Sequence, residues 1–297
     1  METHLRNFIM NAWGSTDSDR FPGPQPISIE RRHFQLLKKD KYMVCEKTDG
    51  LRVMLVSTMF ESKRLVALVD RAFRYEEISL SIPRDTVLDC ELIGTLILAY
   101  DGVMIRGEDI RQKNLKERLA AITSVSKMVL RTTKDKYSIK AKKMLPIADV
   151  KTVLDTEYPY ETDGLVFTPI YEPVRLGTHE TMFKWKPRKK ITIDFLVRHD
   201  GNYMDRGFHG KEPVMMMYIA EKDKLREICM FNTIGGYKNL EQYEGKIVEC
   251  SYGDVGWQFE KIREDKTYPN NMRTYQRTCV NIREDIQPNE FHLYMQK

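Results

Sequence analysis

The chain has 297 residues, 41% hydrophobic and 31% charged, with 48 Lys and Arg against 43 Asp and Glu for a net charge of +5. That length suits one large core or two smaller ones, and the mild positive charge permits a polyanionic partner without requiring one. The five cysteines (Cys45, Cys90, Cys229, Cys250, Cys279) are isolated from one another and from the six histidines. Their spacing argues against a zinc site and a disulfide framework, and it suits a reducing compartment. Met1–Asn11 lacks the apolar centre of a secretory leader, and the stretches around Leu92–Tyr100 and Val214–Ala220 are too short to span a bilayer. A soluble, intracellular protein without membrane attachment is expected.

The N-terminal segment is polar and leads into Phe21-Pro22-Gly23-Pro24-Gln25-Pro26, which reads as extended. Ser28 is placed to cap a helix with Ile29, His33, Leu36 and Leu37 on one face. Short apolar runs then predict strands over Tyr42–Glu46, Leu51–Thr58, Leu65–Asp70, Thr86–Leu92 and Leu96–Tyr100. Asn114 and Glu117 form a capping box ahead of Leu115, Leu119 and Ile122 at helical spacing. A short helix near Val150–Tyr158 and a strand over Gly164–Thr168 follow. Beyond the basic run Lys184–Lys190, strand-like segments recur at Ile193–Arg198, Val214–Ala220, Glu227–Phe231, Lys246–Tyr252 and Gly256–Ile262. Such a series without a long helical pattern predicts a small β-barrel. From Asn281 the spacing is again compatible with helix.

The chemistry-bearing cluster is Glu46-Lys47-Thr48-Asp49-Gly50-Leu51-Arg52, between two expected strands. Taken alone it reads as a charged hairpin turn. It is followed in order by Asp70-Arg71, Asp89-Cys90-Glu91, Tyr100-Asp101-Gly102, Thr162-Asp163-Gly164-Leu165, Phe183-Lys184-Trp185-Lys186-Pro187 and Arg263-Glu264-Asp265-Lys266. Several of these lie at expected strand ends, where a sheet delivers them to one cleft. On this colinear series the chain resembles the covalent nucleotidyltransferase superfamily. Within it, the likeness is to the mRNA-capping guanylyltransferases, nearest the small chlorella-virus type. It runs from Phe21–Ile29 through Asp194 and Lys246–Cys250 to Arg273–Ile282.

The resemblance implies an α+β fold. A nucleotidyltransferase domain of the ATP-grasp-like, ligase and capping kind, with antiparallel sheets, occupies residues 1–190 and is rejoined by a C-terminal helix at 283–297. An OB-fold β-barrel occupies 191–282. The implied activity is mRNA guanylyltransfer: GMP passes from GTP to Lys47 with release of pyrophosphate, then to the 5′-diphosphate end of RNA to give the GpppN cap. A lysine attacks phosphorus only when neutral, and neighbouring cations disfavour its charged form. Lys184 and Lys186 fill that role and neutralise the α-phosphate, and Asp49 shares the nucleophile's motif. Glu91 and Asp163 are the implied ligands of a divalent cation, Mg²⁺ or Mn²⁺.

For the nucleoside, Tyr100 corresponds to a ring that stacks on guanine, so a ring without its hydroxyl should serve equally; from pattern alone Tyr100 reads as readily as a core aromatic. Lys142 corresponds to a lysine on the guanine O6 acceptor, with Lys140 and Lys143 close beside it in sequence. Arg52 and Arg71 correspond to ribose and phosphate contacts. Arg263, Asp265 and Lys266, an exposed charge run by themselves, become by resemblance the grip on the β- and γ-phosphates when the barrel closes over the first domain. The cations of Arg131–Lys143 and Lys184–Lys190 read either as RNA phosphate contacts or as a solvated face. Cys90 stands where the family usually has Gly, and strand alternation turns it from the face shared by Asp89 and Glu91. Cys45 reads as a buried strand residue.

An ATP-dependent polynucleotide ligase using a lysyl-AMP intermediate is the enzymatic alternative, and a non-catalytic RNA-end-binding protein the alternative outside enzymes. No residues are assignable to RNA triphosphatase or cap methyltransferase, so separate partner proteins are expected to supply those steps.

Overall fold

A computed structural model describes residues 1–17, 20–129, 136–202, 213–231 and 240–296. The chain divides into two compact units, Met1–Trp185 with Pro288–Lys297, and Lys186–Gln287.

The first unit begins with α1 (Glu2–Trp13), β1 (Pro24–Ser28), β2 (Tyr42–Thr48), β3 (Leu51–Phe60) and β4 (Lys63–Asp70). It continues through β5 (Tyr75–Glu77), β6 (Thr86–Ile93), β7 (Leu96–Ile105), β8 (Glu108–Asp109) and α2 (Leu115–Met128). It then runs through β9 (Ser138–Ala141), β10 (Leu145–Pro146), α3 (Val150–Asp155), β11 (Thr162–Pro169) and β12 (Gly177–Trp185). Two sheets result: a five-stranded one in the order β1-β12-β11-β2-β10, and a seven-stranded one in the order β5-β4-β3-β6-β7-β8 with β9 beside β7.

Strand β3 shows why its sequence is a continuous apolar run. Val53 and Leu55 pack with Leu88, Ile97, Ile122 and Val125 on the α2 side. Met54 and Val56 pack with Leu5, Ile9 and Trp13 of α1 on the other. A strand covered on both faces has no polar side to alternate with. Cys90, with no exposed surface, joins the α2-side core, so the residue standing in place of Gly points away from the site as alternation predicts. Cys45 is likewise buried, and burial pushes its thiol up to about 11. The capping box at Asn114 forms, with Glu117 N–H donating to the Asn114 side chain at 3.1 Å and Asn114 N–H to Glu117 at 2.9 Å.

Two expectations are corrected. The N-terminal segment, expected only to be polar, holds a helix: residues 2–13 form α1, whose buried Leu5, Ile9 and Trp13 seal one face of the seven-stranded sheet. Ser28 does not cap a helix. It ends β1, which pairs in parallel with β12 through Ile27 to Phe183 and Ser28 to Lys184. The turn that follows is a 3₁₀ helix over Arg31–Leu36, begun by Glu30, whose N–H donates to His33 Nδ1 at 3.0 Å.

The second unit holds β13 (Thr192–Asn202), β14 (Pro213–Glu221), β15 (Lys224–Met230), β16 (Ile247–Gly253), β17 (Gly256–Ile262) and α4 (Met272–Glu284). Its strands form one antiparallel sheet in the order β15-β14-β13-β16-β17. Phe195, Val197, Met215, Met217 and Val248 form its core. The final helix, α5 (Pro288–Met295), returns to the first unit. There the Phe291 ring lies 4.9 Å from Phe167 and 5.2 Å from Phe34, and Glu290 accepts from Arg31 at 2.8 Å. No described helix is long and apolar enough to cross a membrane.

Candidate active site

Lys47 stands near the end of β2, where β11 runs antiparallel to it with Thr162 opposite Thr48 and Gly164 opposite Lys47. One step on β2 thus faces two on β11, and Asp163 is the extra residue of a bulge. A bulge re-aims a side chain. Here it carries Asp163 Oδ1 to 2.8 Å from Lys47 Nζ, and the next residue, Gly164, takes φ +149°, a region closed to most side-chain-bearing residues. Lys184 on β12 is opposite Val166, which is opposite Cys45, so Lys184 projects from the face that carries Lys47. Lys186 is the first residue of the second unit.

Across from Lys47, Glu91 leaves β6 opposite Arg52 of β3. Gly50 N–H donates to Glu91 Oε1 at 3.1 Å. A side chain at Gly50 would place its first carbon 2.7 Å from the Leu92 carbonyl oxygen and 2.8 Å from Glu91 Cγ, so the motif glycine is a matter of close approach. Burial raises the Glu91 carboxyl above its ordinary range, opposed by the nearby charge of Lys47 and by the Gly50 hydrogen bond. Asp49 is exposed, its N–H held by the Glu161 carbonyl at 3.0 Å. Arg71 is exposed in a turn that Asp70 braces by accepting from Ala72 and Arg74 N–H at 2.9 and 3.0 Å.

Behind Glu91 lies a buried triad. Arg52 donates to both oxygens of Asp89, at 2.9 and 2.6 Å, and to the Pro24 carbonyl at 3.0 Å. The Tyr100 hydroxyl donates to Asp89 Oδ1 at 2.6 Å. These bonds use three of the five N–H groups of Arg52. A ribose or phosphate contact from this side chain would come from the other two. Burial and the Asp89 charge hold the Tyr100 phenol well above its ordinary range, so it stays a donor.

Lys142 is buried, and its ammonium meets Glu46 Oε1 at 3.2 Å and donates to the Thr48 hydroxyl. Tyr160 donates to the same Glu46 oxygen at 2.9 Å. Of the cation run expected over Arg131–Lys143, residues 131–135 lie outside the described residues.

In the second unit, Arg263 donates to Asp194 Oδ1 at 2.9 Å, to Glu249 at 3.2 Å and to both Asp265 oxygens at 2.9 and 2.8 Å. Lys266 pairs with the other oxygen of Asp194. Hydrogen bonding from Arg263 brings the Asp265 carboxyl down to about 2. Asp89, Glu46 and Asp194 are the partners that the motifs do not single out as site residues. Asp89 is visible only as the first acid of Asp89-Cys90-Glu91, and no local spacing joins Glu46 to Lys142 or Asp194 to Arg263.

Among the described residues no three of His, Cys, Asp and Glu converge as a metal-ligand group. Glu91 and Asp163, both near Lys47, offer the carboxylate oxygens that a hard divalent cation prefers.

Residues 1–188 match the family described as mRNA capping enzyme, catalytic domain, and residues 174–292 the mRNA capping enzyme, C-terminal domain. An mRNA-capping enzyme of Danio rerio is 28% identical over 302 residues, covering 91% of this chain and 48% of that one. The mRNA-capping enzyme subunit alpha of Schizosaccharomyces pombe is 26% identical over 316 residues, covering 91% of this chain and 79% of that one. The chain therefore spans about half the length of the vertebrate relatives it matches, the share of the Mus musculus enzyme being 47%. By these matches to both domain families, the chain belongs to the mRNA capping enzyme family.

Proposed function

We propose that this chain is a GTP:RNA guanylyltransferase that carries GMP on Nζ of Lys47 between GTP and the 5′-diphosphate end of an RNA. The observation that carries this reading is the pairing of Lys47 with Asp163 at 2.8 Å, faced by the half-buried Glu91. Asp163 holds the amine as an ion pair and is near enough to take a proton as nitrogen becomes a nucleophile. The Nζ–P bond forms as the bond from the α-phosphorus to the bridging oxygen breaks, and pyrophosphate leaves. In the second step a terminal phosphate oxygen of the RNA attacks, the P–N bond breaks and the amine recovers its proton. Lys184, on the same sheet face as Lys47, disfavours a charged neighbour and offsets α-phosphate charge. A divalent cation held by Glu91 and Asp163 would neutralise charge developing on the phosphate oxygens. Tyr100 is the ring for the base, Lys142 the cation for its O6, and Arg52 and Arg71 the ribose and phosphate contacts. Arg263 and Lys266 take the β- and γ-phosphates, with Asp265 holding the Arg263 guanidinium for that contact. RNA triphosphatase and cap methyltransferase activities come from elsewhere.

The test is incubation with α-labelled GTP or ATP and a divalent cation, followed by a denaturing gel. GTP should label the wild-type chain, and Lys47→Ala and Lys47→Arg should not be labelled, since a guanidinium stays protonated. Preference for ATP would replace this reading with the ligase one. Persistent label in either variant would remove Lys47 from the role.

A further inference from the structure

Lys142 is fixed at both ends. Its backbone N–H donates at 2.8 Å to the carbonyl of Ala99, the residue that precedes Tyr100. Its ammonium reaches Thr48, the residue that follows Lys47. In the guanylyltransferase reading, a nucleotide joined to Lys47 and stacked on Tyr100 would run past this cation. The ammonium is nonetheless almost wholly buried, as is the Glu46 carboxylate beside it, with side-chain exposures of 6% and 4%. A buried ammonium is tolerable only with a counter-charge and a set of acceptors that define its direction.

Glu46 supplies both. Its Oε1 faces Lys142 at 3.2 Å, accepts from the Tyr160 hydroxyl at 2.9 Å and lies 3.5 Å from the Thr48 hydroxyl, which points its proton there while accepting from Lys142. Tyr160 leans on Tyr158, their ring centroids 5.6 Å apart. Burial, then the Glu46 charge, pushes the Tyr158 phenol up to about 12 and raises that of Tyr160, so both keep their protons at neutral pH. Of the three Lys142 N–H donors, Thr48 takes one, and the ion pair with Glu46 turns the ammonium so that donor capacity remains in a direction these two partners determine.

We propose that Glu46, braced by Tyr160, is the positioning residue for purine selection: it aims the remaining Lys142 donor so that a 6-oxo purine is accepted and a 6-amino purine is refused. This rests on the guanylyltransferase reading above. A carbonyl acceptor at position 6 completes the Lys142 shell, whereas an amino group presents a donor to a donor. Because the interaction touches the base and not the phosphorus, it belongs to nucleotide binding and selection.

The test measures covalent labelling kinetics of the full chain with GTP, ITP and ATP; ITP keeps the 6-oxo group and lacks the 2-amino group. Wild type should prefer both 6-oxo nucleotides to ATP. Glu46→Gln keeps the shape and removes the charge. It should raise KM for GTP and ITP about tenfold, with kcat within about twofold and ATP unaffected, so that the preference shrinks about tenfold (~1.4 kcal/mol). Tyr160→Phe should shift KM the same way by about threefold, and it serves as the informative variant if Glu46→Gln is unfolded by melting. Because Glu46 acts through Lys142, Glu46→Gln should add nothing to the loss in Lys142→Met. Losses that add, or loss of folded protein with the 6-oxo preference intact, would assign Glu46 a merely structural role and overturn the proposal. A wild-type chain that prefers ATP would overturn the guanylyltransferase reading and this proposal with it. A wild type that prefers GTP, with the preference intact in both Glu46→Gln and Tyr160→Phe, overturns this proposal alone.

Discussion

Replacing Tyr100 by Phe separates the ring from its hydroxyl. The hydroxyl donates at 2.6 Å to Asp89, a carboxylate with no exposed surface that also takes both forks of Arg52. Hydrogen bonds to charged groups contribute ~1.5–3 kcal/mol, and because the Arg52 pair survives, the loss should lie near ~1.5 kcal/mol. For a unit of this size that corresponds to a fall in melting temperature of about 3–6 °C. The ring remains, so KM for GTP in the labelling reaction should change by less than about threefold in Tyr100→Phe, whereas Tyr100→Ala also forfeits stacking of ~1–3 kcal/mol. Thermal melting and labelling kinetics on the same preparations distinguish the two contributions. A Tyr100→Phe variant that melts with wild type would refute the Asp89 bond. Equal loss of GTP use in folded Phe and Ala variants would refute stacking. The structure thus adds a stability role to a side chain whose hydroxyl the sequence leaves idle.

Glu91→Gln should stabilise the fold while abolishing labelling. Burial raises the Glu91 carboxyl, so its neutral form favours the folded state below the ordinary glutamate range, and that favour is lost as pH rises through the raised value. The variant should therefore melt above wild type at pH 8 and level with it near pH 4; a difference independent of pH would count against a buried, costly charge. Asp265→Ala and Lys266→Ala should slow formation of enzyme–GMP from GTP and leave single-turnover transfer from preloaded enzyme closer to wild type, since an interaction made only with a departing pyrophosphate assists only the step in which it departs. Equal loss in both steps would give this segment another task.

Most of the longer strands are legible because each is a short apolar run between turn residues, as in Leu51–Phe60 and Ile247–Gly253. Helix α2 is legible because Asn114 and Glu117 sit three apart ahead of an apolar stripe. Helix α1 carries a regular stripe, Leu5, Phe8, Ile9, Ala12 and Trp13, so it is legible by spacing although Glu2, Arg6, Asn7 and Asn11 make its composition read as polar. Strand β12 is hidden by its charges. Its Lys184 and the cations after it read as a basic run, whereas the buried Phe183 stacks on His33 and Tyr42 and the buried Trp185 meets Phe291 of α5. At Ser28 a good capping residue is overruled by pairing with Lys184 of β12, a partner that no local pattern announces.

The site divides along the same line. Residue types that chemistry demands, Lys47 for attack and Glu91 and Asp163 for charge, stand out because they sit in short motifs with glycines. The structure gives those glycines separate reasons: Gly50 for its approach to Leu92 and Glu91, Gly164 for the bulge that delivers Asp163. What holds these groups in place is long-range. Asp89 reaches Arg52 across 37 residues, Lys142 reaches Thr48 across 94, Tyr160 reaches Glu46 across 114, and Arg263 reaches Asp194 across 69. Each such partner is an ordinary acid, hydroxyl or tyrosine in sequence, and only the pairing of strands gives it a charge to answer. A motif can therefore name the groups that act on phosphorus, because their chemistry is their own. It cannot name the groups that aim them, because aiming is a property of register.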